Sequence, residues 1–432
     1  MADIRAFRGT FYNPLVIEDL SRVIAPPYDI IDDKRRSDLQ SRSPFNIVRL
    51  ILPQEDGERE FWNDSAALFG AWKNGDVLVS DEAPSLYIYR QTFELSAAER
   101  VSRTGIVAGL RCEDLSNGDV LPHEKTFSRT REQRLNLLRS CKANFSQIFM
   151  VFQDPGEEAL ALLENATAGS AMLELRDDEG VEHRLWRLSD PGDVLSMAGV
   201  LSDRKLIIAD GHHRYETALA YSREGPGATP PDAAASYVSI TLFRSEDPGL
   251  SILPVHRILS DLPMTAHEAV ERLKEYFEVE MVTRDIGARE GMYGDMLRSY
   301  RRPCFVMVSR EGVARLVLRE GVEPAKALKG AESERWKELD ISILHSLIIG
   351  EGLGLDASEL AEKGELRFTP WEREALAAVG EGKAGAAFIV RPTRIDEIWD
   401  IAEGGERMPH KSSYFYPKLP SGLVIYDHES AL

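Results

Sequence analysis

The sequence predicts an α+β protein in two intertwined units, and three observations lead there. Its 432 residues are more than one simple core accommodates, since domains run to roughly 150 residues. Hydrophobic residues at 43% and charged residues at 28% are ordinary globular values. Strand-like and helix-like segments follow one another with no internal repeat and no low-complexity tract. Pro263 marks the division, which gives a first region over 1–262 and a second over 263–432.

The opening segment carries turn chemistry at Asn13-Pro14, Pro26-Pro27-Tyr28-Asp29 and Ser43-Pro44, between short apolar runs such as Asn46 to Leu52. Loops and strands are expected there, before a helix from about Glu60 to Lys73. Leu86 to Phe93 and Gly105 to Arg111 are rich in β-branched and aromatic residues and read as a hairpin. A basic helix over Arg129 to Arg139 follows, then a buried strand, Gln147 to Phe152. Met172 to Arg176 and Glu182 to Leu188 flank the turn Asp177-Asp178-Glu179-Gly180. Next come strand Lys205 to Ala209, a turn at Asp210-Gly211, and a helix from His212 to about Arg223 ended by Gly225-Pro226-Gly227. The loop from there to Pro231 reads as a lid or a linker. Strands are expected at Tyr237 to Phe243, Ile252 to Leu259, Phe305 to Val308, Ala314 to Leu318, Ala387 to Val390 and Leu423 to Tyr426. Helical spacing marks Ala266 to Tyr276, Ile341 to Ile349 and Ile395 to Ala402, with a loop running through Lys418.

Composition removes several classes of function. No stretch approaches the roughly 18 apolar residues of a spanning helix, and Met1-Ala2-Asp3-Ile4-Arg5 lacks the apolar run of a secretion signal, so a cytoplasmic protein away from membranes is expected. The three cysteines, Cys112, Cys141 and Cys304, are isolated and odd in number, which suits core residues in a reducing compartment. A net charge of −19 disfavours an extended nucleic-acid partner. It does not disfavour a small anion held by a few convergent donors, because local geometry overrides net charge over short range.

The segment Ala209-Asp210-Gly211-His212-His213-Arg214-Tyr215 has that character. A glycine between a buried strand and a helix lets the chain turn sharply and aims the first helical amides at the crevice. Those amides, with the positive end of the helix dipole, favour an anion, and Arg214 adds a fork that can grip two phosphate oxygens. Asp210 would either hold a Mg²⁺ ion or accept a hydroxyl proton during phosphoryl transfer. The same residues would be purely structural if Asp210 capped the helix, the histidines packed and Arg214 paired with a surface acid.

Residues 208–215 resemble the Asp-Gly-His-His-Arg segment of the ParB, sulfiredoxin and free-serine kinase superfamily, whose members bind nucleotide phosphates at this turn. The whole chain resembles the domain-of-unknown-function family DUF1015, which has been grouped with that superfamily. The resemblance runs through Arg5-Ala6-Phe7-Arg8-Gly9, Ala25-Pro26-Pro27-Tyr28-Asp29, His123-Glu124-Lys125-Thr126, Asn144-Phe145-Ser146 and residues 408–418. It implies a ParB/sulfiredoxin-like nucleotide-binding core with a mixed sheet, plus additional α/β elements. It also implies phosphate contacts from Gly211, His212, His213 and Arg214, and gives Asp210 the place of the acidic residue important in the serine kinase. His410 and Ser413 stand where glutamine and threonine are usual in the tail motif, and neither change removes a cation.

Two further groups bear on this site. His123, Glu124 and Lys125, followed by Arg129, Arg131 and Arg134, put an acid, an imidazole and several cations in one polar stretch, fit either to complete the site or to start a solvated helix. Lys411, Tyr414, Tyr416 and Lys418 lie in a loop suited either to ligand contact or to being pinned by its own aromatics, and Tyr28 and Asp29 form a ligand wall or only a turn. The expectation is therefore a nucleotide-dependent phosphotransferase acting on a small hydroxyl compound, using ADP or ATP with Mg²⁺. Its catalytic groups would be Asp210, Glu124 and His123, with Asp210 also on the metal. Ligand contacts would come from Gly211, His212, His213, Arg214, Lys125, Arg131, Tyr28, Lys411, Tyr414 and Lys418. A nucleotide-binding regulatory module without turnover is the alternative, and a metal-dependent hydrolase using His123, Glu124, His212 and His213 is a weaker one, since no HExxH spacing occurs.

Overall fold

A computed structural model of the chain describes residues 2–53, 61–96, 99–124, 128–224, 233–286 and 291–432, without the side chains of 61, 96 and 128–131. It divides into two compact units: Met1–Pro122, Thr126–Ser251 and Pro417–Leu432 form the first, His123–Lys125 and Ile252–Tyr416 the second. The boundary thus lies at Ser251 and not at Pro263, and the C-terminal segment belongs to the first unit. Strand pairing explains the return. Tyr426–Asp427 runs antiparallel to Ala143–Asn144, and Thr10 and Ile425 exchange backbone hydrogen bonds of 2.9 Å.

Among the described residues of the first unit, nine strands form one mixed sheet: β1 (Ile4–Arg5), β2 (Leu86–Ser96), β3 (Glu99–Arg111), β4 (Val120–Pro122), β5 (Ile148–Phe152), β6 (Leu173–Arg176), β7 (Glu182–Leu188), β8 (Leu206–Asp210) and β9 (Tyr237–Arg244). Their order is β4-β8-β5-β9-β3-β2-β7-β6, with β1 on β3. β8 is parallel to β4 and β9 to β5, whereas β8–β5, β9–β3 and the hairpins β2–β3 and β6–β7 are antiparallel. This is the mixed sheet of an α+β fold. Period-two alternation sorts its faces: Ile148, Met150 and Phe152 enter the core with Leu206 and Ile208. Phe149 points the other way, against the guanidinium of buried Arg103. The 6→7 turn is fixed by Asp177, whose Oδ1 accepts from the amides of Glu179 and Val181.

The helices foreseen near Glu60 and Arg129 are present as Phe61–Asn74 and Ser128–Cys141, the latter named α1. Asn46 to Leu52, expected among loops and strands, instead contains a short helix, Val48–Ile51. A further helix at Asp33–Arg42 was not foreseen, because its only buried residue is Leu39 and it shows no apolar periodicity. Asp32 caps it, accepting from the Arg35 amide at 2.7 Å.

The second unit holds an antiparallel sheet of six described strands, in the order Phe277–Thr283, Gly312–Leu318, Cys304–Ser309, Ala386–Ile389, His256–Leu259, Leu366–Thr369. Phe305 and Met307 face one core, Cys304, Val306 and Val308 the other, so both sides are covered. The single strand expected over Ile252 to Leu259 is broken at Pro254, which has no amide to give a ladder. The apolar helix expected over Ile341 to Ile349 is a short α-turn, Asp340–Ile343, continuing as a π-helix, Leu344–Gly352.

Candidate functional site

Strand β8 ends in a reversal made by one residue. Gly211 has φ +97°, in the left-handed region, and a Cβ there would meet the Arg214 guanidinium at 3.0 Å. Glycine is needed both for the backbone and for that room. The helix α2 (His212–Ser222) starts at once, with Gly211 at its N-cap offering no side chain to cap it.

Asp210, just before that cap, holds two cations. Its Oδ2 accepts from Arg214 Nη2 at 2.6 Å and its Oδ1 from Lys418 Nζ. Arg214 Nη1 also donates to the Gln147 carbonyl on the neighbouring segment. The side chains of Asp210, Arg214 and Lys418 keep 15%, 13% and 12% exposure, so the triad is reachable yet poorly screened. Two cations thus share one carboxylate in a chain of net charge −19. His212 packs at 8% exposure and His213 is half-buried. Arg214 thus does pair with an acid, but that acid is its neighbour in the turn.

Half-buried Tyr28 follows Pro26-Pro27 in a tight turn, Tyr28–Ile30. The Arg134 guanidinium, from α1, lies over its ring at 4.0 Å. Burial, with Asp29 adding to it, lifts the Tyr28 phenol above its ordinary range against the pull of Arg134 and Arg214. Burial likewise lowers the Arg134 guanidinium, and Arg214 lowers it further. Tyr28, Arg134 and Arg214 line one small cavity together with Ser146, Asn144 and Thr217. The ligand contact expected on this helix is Arg131, whereas the arginine that lines the cavity is Arg134. The usable signal was spacing: Arg134, Leu137, Leu138 and Cys141 fall at i, i+3, i+4 and i+7, and all four are buried, so an arginine stands in the helix's core-facing stripe. Lys125 lies outside the described residues, as does the side chain of Arg131.

In the second unit, His123 is fully buried, with Nε2 2.8 Å from Ser413 Oγ and 4.0 Å from Glu124 Oε1. Glu124 Oε1 accepts from the Ser412 amide at 3.2 Å. Arg257 is the anchor of this region. Its nitrogens donate to the carbonyls of Val255, His410 and Lys411 and to His345 Nε2, and the Phe368 ring covers it. Burial pulls Arg257 down to about 9 despite nearby Glu124. Lys411 bends through φ +55° with its side chain exposed, and it is its carbonyl that is used. Tyr414 is half-buried beside buried Phe415, which stands edge-on to His123 at 6.2 Å, and Tyr416 stands edge-on to Trp371 at 5.8 Å. Two of the loop's aromatic rings, Phe415 and Tyr416, thus pack against other side chains.

The second unit also contains a polar cleft of about 770 Å³ bordered by Arg298, Arg301, Arg302, Arg319, Arg391 and Arg394. Its arginines are largely neutralised: Arg391 clasps Asp340 at 2.7 and 2.8 Å, Arg302 pairs with Glu278, and Arg394 with Asp396. Among the described residues no three His, Cys, Asp or Glu side chains come together to hold a metal ion.

The chain matches the family described as protein of unknown function, DUF1015, over residues 4–342, and it belongs to that family. No curated protein matches it. Among solved structures it is similar to a conserved hypothetical protein from Pyrococcus furiosus, with 12% identity over 73% of this chain and 93% of that one, and a TM-score of 0.35. It is similar to free serine kinase in complex with AMP, with 13% identity, 73% and 90% coverage and a TM-score of 0.36. It is also similar to SbnI with C-terminal truncation from Staphylococcus aureus, with 12% identity, 72% and 84% coverage and a TM-score of 0.34.

Proposed function

We propose that this DUF1015 protein binds the phosphates of a nucleotide, ADP or ATP, at the Gly211 turn and transfers a phosphoryl group to a small hydroxyl compound. One observation carries the reading: Arg214 and Lys418 converge on the single carboxylate of Asp210 at a glycine-hinged end of a strand. A nucleotide's phosphate chain is more strongly charged than a carboxylate and offers Arg214 a bidentate partner, so it competes for both cations. Asp210, relieved of one of them, then stands beside the phosphates as acceptor for the hydroxyl proton. The balance is simple. The bond from the terminal phosphorus to its bridging oxygen breaks, a bond from phosphorus to the acceptor oxygen forms, and the acceptor's proton passes to Asp210.

Both Asp210 oxygens are held by cations and no acidic cluster accompanies them, so the described residues do not build a metal cage. A Mg²⁺ ion would be held chiefly by the nucleotide's phosphate oxygens and water, and no step is assigned to it. That same clamping of Asp210 favours a second reading, a nucleotide-binding regulatory module without turnover. The hydrolase reading has no centre among the described residues.

Thermal-shift titration with ADP, ATP, CTP and pyrophosphate tests binding, since a ligand at 100 times its Kd stabilises by about 2.7 kcal/mol. Arg214→Ala is expected to remove the response. Nucleotide turnover with pooled hydroxyl compounds then separates kinase from switch: binding without product in any pool retires the phosphotransferase.

A further inference from the structure

The cavity beside Tyr28 contains an unusual arginine. Arg134 is 9% exposed, yet among the described residues no carboxylate lies within ion-pair distance of it, and Asp29, the acid whose field acts on it, is exposed. Its Nη1 donates to the Ile51 carbonyl at 2.7 Å, while its Nε has no hydrogen-bond partner. A second orphan belongs to another residue that lines this cavity: Oγ1 of Thr217, which is 3% exposed. Burying a guanidinium without an anion is unfavourable, and so is leaving a buried hydroxyl unsatisfied, so two such groups beside one hollow point to a missing partner.

The walls say which partner. Ile51, Leu137, Phe145 and Val238 give them an apolar share beside the polar Asn144, Ser146 and Arg214, and the volume is about 70 Å³, far below the roughly 300 Å³ at which drug-sized pockets begin. A phosphate is charged all round and has no apolar part to set against those four side chains. A carboxylate on a short hydrocarbon stem is charged at one end only. We infer that this cavity binds a short-chain carboxylic acid as its anion, with Arg134 as counter-charge, Thr217 Oγ1 as a further donor and the stem against Ile51, Leu137 and Val238. The site shares Arg214 with the phosphate turn but does not depend on a nucleotide.

The test is titration of the full chain with acetate, propionate, butyrate and inorganic phosphate at constant ionic strength, read by thermal shift and calorimetry. Propionate or butyrate should bind, Arg134→Met should weaken them about tenfold or more, and the isosteric Thr217→Val by a few-fold. Binding of phosphate but of none of the acids overturns the inference, as does acid binding that survives in Arg134→Met. ADP titrated in parallel keeps the two readings apart: Arg134→Met should retain a nucleotide response that Arg214→Ala loses, and absence of any nucleotide response leaves the acid result standing.

Discussion

Arg134 in the first unit and Arg257 in the second are both buried guanidiniums without a carboxylate clasp, and they are in opposite states. Every nitrogen of Arg257 meets an acceptor, three carbonyls and an imidazole, so the charge is spread over dipoles and the region is closed. Arg134 has one carbonyl, one ring and an Nε without a partner, in a side chain that borders a hollow. Burial of an arginine is therefore not what marks a site. The mark is unspent hydrogen-bonding capacity next to space a ligand can enter.

That contrast can be broken from its structural side first. Arg257→Ala strands the acceptors it now fills and should cost about 3–5 kcal/mol, seen as a loss of thermal stability with the nucleotide response of the folded fraction unchanged. A smaller effect follows from His256 in the same region, whose Nδ1 accepts from the Val390 amide at 3.3 Å and so must be neutral. Burial, with Arg257 beside it, lowers His256 to about 3 from 6.5. The unfolded chain takes up a proton near 6.5 that the folded chain refuses, so this stability is whole above that pH and drains as pH falls towards 3. About 2 kcal/mol should go between pH 7 and pH 5 in denaturant titrations, and His256→Gln should flatten the profile. If the slope stays the same in that variant, His256 is not its source.

On the ligand side the expected stability changes are smaller and the binding changes larger. Gly211→Ala forces a side chain into left-handed backbone and against Arg214, for about 1–2 kcal/mol, and should blunt the nucleotide response. Arg134→Met replaces an under-satisfied charge by an apolar chain and should leave stability unchanged or raise it. A large loss there would put Arg134 in the same class as Arg257 and erase the distinction.

Some of this was written in the chain's local order. Runs of β-branched, aromatic and other apolar residues announced most strands of both sheets, and the strand-glycine-helix turn at Gly211 was legible because its cause, a positive φ next to a buried strand, lies in adjacent residues. The polar helix Asp33–Arg42 was not, since it buries one leucine and leaves no period to find. The π-helical turns after Ile343 follow from packing and have no composition of their own. Residues of the candidate site divide the same way. Asp210, Gly211 and Arg214 sit together in the sequence, whereas Lys418 reaches Asp210 across 208 positions. Short-range rules of backbone and periodicity fix what neighbours do to one another. Which distant cation meets a carboxylate, and which buried arginine is left with capacity to spare, depends on where the sheet carries each segment, and only tertiary structure decides that.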